Sequence, residues 1–262
     1  MAQQKGIIKL KGTLDKLCYY QLNGKNIVRR ASGPSKERIN TDPAFAAVKA
    51  NNQEFAGAVM LSKSIQKALA SVANKFRDSF MHSRLTGTCR KIIQKGNGEL
   101  GQREVNIKRN PEALLHFNLN KGVTLNQLYT SEVEVSLDEI TNKIALNIPI
   151  SLPANLKKKP KGATHFKLIW VIGMVSPFEW DEKQKNYVAL HPNFNGLEKV
   201  IPYQPLLTHE NHENIRLEID KPTKMPLEIT MIIWLGISYL EEVNNTLIEL
   251  ETPKAMQCIH VH

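Results

Sequence analysis

The chain has 262 residues, 42% hydrophobic and 23% charged, with a formal charge of +10 at pH 7. That balance excludes a wholly disordered chain and is enough to enclose a sizeable core. The charge is polarised: residues 1–110 hold 21 Lys and Arg against 7 Asp and Glu, and residues 111–262 hold 14 against 18, which points to a polyanion or an acidic protein surface as partner, a sister copy included.

Residues 6–31 read as a β-hairpin arm. Ile7–Lys11 is a short strand and Gly12 permits a turn. Leu17–Leu22 and Asn26–Arg30 then flank Asn23-Gly24, a pair that favours a type I′ turn because both residues accept positive φ. Two strands alone are marginal in water, so the arm is expected to pack on something further, such as another subunit. A polar segment, RASGPSKERINTDP, leads to Asp42-Pro43, the signature of a helix start with a carboxylate N-cap and a proline in the first turn. Phe45, Val48, Phe55, Val59, Ile65, Leu69, Val72, Phe76 and Phe80 recur in helical steps. They predict one amphipathic helix to about His82, continuous or broken at Asn51–Gln53 or Gly57. A second helix is expected over Ser83–Lys95, ending at Gly96-Asn97-Gly98.

Beyond residue 100 the pattern changes to strands. The expected ones are Glu104–Lys108, Glu132–Leu137, Lys143–Ile150, His165–Val175, Asn186–Leu190, Ile215–Asp220, Leu227–Leu240, Thr246–Leu250 and Gln257–Val261, separated by prolines and Asn-Gly or Asn-Asn turns. Ile169–Met174 and Ile229–Leu235 are apolar at consecutive positions, as in strands covered on both faces. The fold class predicted is α+β, in three parts. Residues 1–42 are a basic β-hairpin arm and loop, 43–100 a long amphipathic helix or helix pair, and 101–262 an antiparallel β-sandwich. The longest apolar run, Met231–Ile237, is too short to span a bilayer. The amino terminus lacks the apolar stretch of a secretory signal. Cys18, Cys89 and Cys258 are odd in number and widely spaced, which fits reduced thiols in the cytoplasm.

For binding, the candidates in the basic part are Tyr19, Tyr20, Arg29, Arg30, Lys36, Arg38, Lys63 and Lys67. The arginines and lysines suit phosphates, and the tyrosines suit base stacking; the plain alternative is a solvated basic face. Their acidic counterpart on a neighbouring copy would be Glu132, Glu134, Asp138, Glu139, Glu241 and Glu242. His209-x-x-His212 and the pair His260 and His262 have metal-like spacing, but no further ligand is placed beside them. Cys89, next to Arg90 and Lys91, is read as a packing residue or an activated thiol. Trp170, Trp180, Trp234, Phe166 and Phe178 are read as core rather than as a carbohydrate platform. No phosphate-cradling loop and no nucleophile elbow is present, so neither enzyme activity nor a cofactor or metal is expected.

The segment GTLDKLCYYQLNGKNIVRRASGPSKERINTDPAFAAVKANNQEFAGA (12–58) resembles the opening of a family of bacterial proteins frequent in Bacteroidetes-type genomes. WLGISYLEEVNNTLIELETPKAMQCIHVH (234–262) is similar to that family's closing strands. The shared features are a Gly-rich hairpin, an Arg-rich strand end and an Asp-Pro-Ala-Phe helix start; Asp15-Lys16 stands where a glycine pair is common. The resemblance implies a recurring architecture and no chemistry. The function expected is therefore structural: a self-assembling homo-oligomer (ring, tube or filament) built by hairpin exchange and head-to-tail charge complementarity, with nucleic-acid binding by the basic segment as the alternative.

Overall fold

A computed structural model describes residues 2–31, 33–69, 71–131, 134–138, 143–148, 156–203, 215–220 and 225–262. The chain is α+β and clusters into two compact units, residues 1–49 and 50–262.

The first unit carries four short antiparallel strands, β1 (Ala2–Gln3), β2 (Gly12–Leu14), β3 (Leu17–Leu22) and β4 (Lys25–Arg30), in the order β1-β4-β3-β2. Asn23 and Gly24 have φ of +48° and +75° and close the β3–β4 hairpin as their side chains allow. Residues 7–11, expected as a strand, lie outside any strand. Leu14 pairs with Leu17 across the two-residue turn Asp15-Lys16, and that turn fixes the register so that β2 begins only at Gly12. The segment after the arm forms a short helix, α1 (Lys36–Thr41), capped by Ser35, whose Oγ accepts the Arg38 N–H at 3.2 Å. Asp42 then accepts the Ala44 N–H at 3.0 Å and starts a 3₁₀ turn at Pro43, which runs into α2 (Ala46–Ala68).

α2 passes unbroken through Asn51–Gln53 and Gly57. Gly57 is a packing residue rather than a kink: a Cβ there would lie 2.8 Å from the Tyr187 ring. The helix ends at Ala68, before the expected His82, and α3 (Ala73–Phe76) and α4 (Met81–Ile93) follow. Ile65, Leu69 and Phe76 of the predicted stripe are buried; after the breaks Met81 enters the core at 1% exposed and Phe80 stays outside it at 61%, and Phe55, on unbroken α2, is 51% exposed.

The second unit is organised around an antiparallel sheet in which β10 (Leu197–Tyr203) pairs with β7 (His165–Val175), and β7 with β12 (Thr230–Val243). The second half of β12 pairs with β13 (Thr246–Glu249) and its first half with β14 (Ala255–Val261). Successive side chains on a strand point to opposite faces. Ile169, Val171, Ile232 and Trp234 therefore meet Leu61, Ile65, Phe76 and Leu85 of the helices. Leu168, Trp170, Ile233 and Leu235 face the other way, onto Leu125, Leu128 and Tyr129. Burial on both faces is why Leu168–Met174 of β7 and Met231–Ile237 of β12 carry no polar side chain. A second antiparallel sheet, β11 (Ile215–Asp220), β6 (Lys143–Ile148) and β5 (Glu134–Asp138), adds Val135 to the second core. A hairpin of β8 (Phe178–Asp181) and β9 (Asn186–Ala189) completes the fold. The expected strand Glu104–Lys108 reduces to one bridge, Val105 to Phe178, because Asn106 turns the chain by accepting the Lys108 N–H at 3.0 Å. No helix among the described residues is long and apolar enough to cross a membrane.

Candidate functional site

The basic arm has a geometry that its sequence conceals. In an antiparallel ladder, directly opposed residues share a face. Cys18 opposes Arg29, Tyr20 opposes Ile27 and Leu22 opposes Lys25; on the other face Leu17 opposes Arg30, Tyr19 opposes Val28 and Gln21 opposes Asn26. Tyr19 and Tyr20 thus point in opposite directions, as do Arg29 and Arg30. Each face presents one tyrosine, one arginine and aliphatic neighbours, with the Arg29 guanidinium 5.7 Å from the Tyr20 ring centroid. No described residue of the first unit is buried. Ile7, Ile8, Leu14 and Leu22 are 101%, 79%, 66% and 52% exposed. The central side chains of both faces, Tyr19, Tyr20, Ile27 and Val28, are only half-buried, so the described sheet encloses no core of its own.

The other basic candidates are variously engaged. Lys36 opens α1 and is exposed. Arg38 pairs with Asp42 at 3.4 Å and lies 5.4 Å from the Phe45 ring. In the second unit, Lys63 and Lys67 are one turn apart on α2. Lys63 is exposed, whereas the Lys67 stem packs against Gly196 and its Nζ donates to Asn195 O at 3.4 Å. Of the acidic candidates, Glu132 and Glu139 lie outside the described residues. Glu134 and Asp138 are on β5 of the second sheet, and Glu241 and Glu242 are at the end of β12 in the central sheet. The four described acidic candidates are divided between two sheets.

His209 and His212 also lie outside the described residues. Among those described, no group of three or more His, Cys, Asp or Glu is arranged to hold a metal. His260 is half-buried, and burial, with His262 beside it, holds its pKa down. Cys89 faces inward from α4 beside Leu85 and Ile92, and burial pushes its thiol well up, opposite to activation by Arg90 and Lys91. Trp170, Trp234, Phe166 and Phe178 are buried. Trp180 is half-buried, edge-on to Tyr187 at 5.4 Å.

The sequence also gave no sign of a cleft of about 510 Å³ on the second face of the central sheet. Its lining is His116, Leu125, Asn126, Tyr129, Thr130, Ser131, Leu235, Gln257 and Ile259. These residues come from a loop and two strands more than a hundred positions apart, and none belongs to a recognisable motif. A shallower cleft of about 480 Å³ beside Trp180 contains Glu104, Glu179 and Glu182. Two of those carboxylates are already engaged, Glu104 by Arg109 and Glu182 by Lys185.

The chain matches no protein-family model, no curated protein and no solved structure.

Proposed function

We propose that this chain is a structural protein that assembles with copies of itself through its N-terminal arm. The observation that carries the reading is the absence of any buried residue among those described in the arm, despite apolar side chains at the centre of both sheet faces. Ordering a residue costs about 1–2 kcal/mol of backbone entropy, and a small sheet offsets this only by covering a hydrophobic face. Contact with a neighbouring copy supplies that cover. The arm and the surface that receives it are different parts of the chain, so the contact is heterologous and propagates into rings, tubes or filaments rather than closing a two-fold dimer. The ten Lys and Arg against three Asp and Glu in residues 1–49 favour a receiving surface rich in carboxylates.

Nucleic-acid binding keeps this charge in its favour. It loses a shared stacking row, because Tyr19 and Tyr20 face opposite ways. Light scattering and negative-stain micrographs of the full chain and of a chain lacking residues 1–31 test the proposal. The full chain is expected to form large particles, and the truncated chain to remain a folded monomer. A full chain that stays monomeric at high concentration and low ionic strength overturns the reading. If oligonucleotide co-purifies with such a monomer and its affinity falls log-linearly with salt, the basic arm is a nucleic-acid arm instead.

A further inference from the structure

We propose that the cleft lined by His116, Asn126 and Gln257 binds a neutral saccharide of one or two rings. Its walls are held in place before any ligand arrives. The loop from His116 is stitched along β14: His116 N and Leu119 N donate to Cys258 O and Met256 O at 2.9 Å each, and Cys258 N donates to Phe117 O at 3.0 Å. Asn118 fixes the loop internally, with Oδ1 accepting the Leu125 N–H at 3.0 Å and Nδ2 donating to His116 O at 3.1 Å. His116 itself sits at φ +63°, a left-handed conformation that costs a non-glycine residue on the order of 1 kcal/mol and persists where the surroundings enforce it. A rigid rim of this kind lowers the entropy lost on binding.

The chemistry of the lining selects the ligand. Among the described residues no Asp, Glu, Lys or Arg lines the cleft, so a charged ligand would meet no counter-ion from them on losing its water. A purely apolar ligand is disfavoured by Gln257, which is 5% exposed. Its Nε2 donates to His116 O at 3.2 Å, and its Oε1 accepts no hydrogen bond among the described residues. Covering that oxygen with hydrocarbon leaves a buried acceptor unpaired. An extended peptide would need a free strand edge, and the outer edge of β14 is already taken by Phe117–Leu119. What remains is a ligand with hydroxyls around its rim and a C–H face. The carboxamides of Asn126 and Gln257 each offer a donor and an acceptor side by side, which suits vicinal hydroxyls that do the same. Leu235 and Ile259 meet the C–H face. The volume of about 510 Å³ is within the range of small-molecule sites.

The test is saturation-transfer NMR on the full chain with neutral mono- and disaccharides, alongside uronic acids and sugar phosphates. Transfer to ring C–H protons of at least one neutral saccharide is expected, with weaker transfer to its charged counterparts. Asn126→Ala should weaken binding about tenfold, as the loss of one ligand hydrogen bond does. His116→Gly keeps the left-handed backbone, removes the imidazole and should weaken binding as well. No transfer to any neutral saccharide overturns the proposal. Preference for a charged sugar, or affinity unchanged in both variants, overturns it equally.

Discussion

Glu54 and Arg103 form a two-point ion pair in which Arg103 Nε donates to Oε1 at 2.6 Å and Nη2 donates to Oε2 at 2.9 Å. The Gly101 N–H adds a third donor at 3.1 Å, and the carboxylate is 1% exposed. This pair fastens α2 to the loop that follows α4. Tyr187 closes the same point, with its ring against Gly57 and its hydroxyl donating to Gly101 O at 3.2 Å. The hydrogen bonds to Glu54 hold the Arg103 guanidinium above its ordinary pKa, against the opposing effect of burial. A charge removed from water in this way is stable only while its partners stay in place.

Arg103→Met should therefore cost about 3 kcal/mol in urea unfolding, because it leaves a buried carboxylate unpaired. Adding Glu54→Leu should recover most of that loss by replacing the charge with hydrocarbon. A double variant no more stable than Arg103→Met rejects this account.

Two glycines make opposite demands. A Cβ on Gly173 would lie 2.7 Å from Ala68 Cβ and 2.8 Å from its carbonyl oxygen, where α2 crosses the central sheet. Gly173→Ala has to push helix backbone off the sheet and should cost about 1–3 kcal/mol. Gly87 is exposed on α4 with nothing within 4 Å. Gly87→Ala should stabilise by about 0.5–1 kcal/mol through helix propensity and the lowered entropy of the unfolded chain. Thermal unfolding of the pair checks both signs, and a Gly173→Ala protein as stable as the parent counts against the packing described.

Much of this fold was legible in the sequence because its signals are local. Asn23-Gly24 fixed the hairpin, Asp42-Pro43 the helix start, and the apolar runs Ile169–Met174 and Ile229–Leu235 the two strands covered on both faces. What misled was periodicity carried too far. Phe55 lies about 80° around unbroken α2 from Ile65 and stays exposed, while Phe80 follows the break after Ala68, and tertiary packing decides where such a break falls. β8 and β10 were missed because one has four residues and the other contains Pro202, a residue that sheets tolerate at an edge. The arm's charge was visible from the start, whereas the division of Tyr19 from Tyr20 and of Arg29 from Arg30 follows from strand geometry. The His116 cleft was invisible, since its walls meet only through the pairing of β12 with β14 and of β14 with the Phe117–Leu119 loop.

Alkaline pH should expose a further consequence of burial. The phenols of Tyr187 and Tyr239 are pushed up to about 12, by burial first and for Tyr187 also by the nearby Glu54 carboxylate. In the unfolded chain a tyrosine ionises near pH ~10. The folded pKa is the higher one, so the stabilising contribution is complete below about pH 10 and disappears as pH rises towards about 12. Phenolate absorbance from these two residues should appear only together with unfolding. The fall of unfolding free energy with pH in that window should be shallower in Tyr239→Phe, and an identical slope contradicts the assignment.

The arm gives the most direct check on assembly, because no described residue there is buried and substitutions in it cannot empty the core of the second unit. Tyr20→Glu with Ile27→Glu charges the centre of one sheet face, and Tyr19→Glu with Val28→Glu charges the other. Burying an unpaired carboxylate is costly wherever a partner covers it. If neighbouring copies cover both faces, each pair of substitutions should reduce particle mass and leave the unfolding temperature of the second unit unchanged. Gln21→Glu, at the hairpin end of β3, should change neither particle mass nor that unfolding temperature. An effect confined to one pair means that only one face is covered. Undiminished particles in both pairs mean that the arm is not what joins the copies.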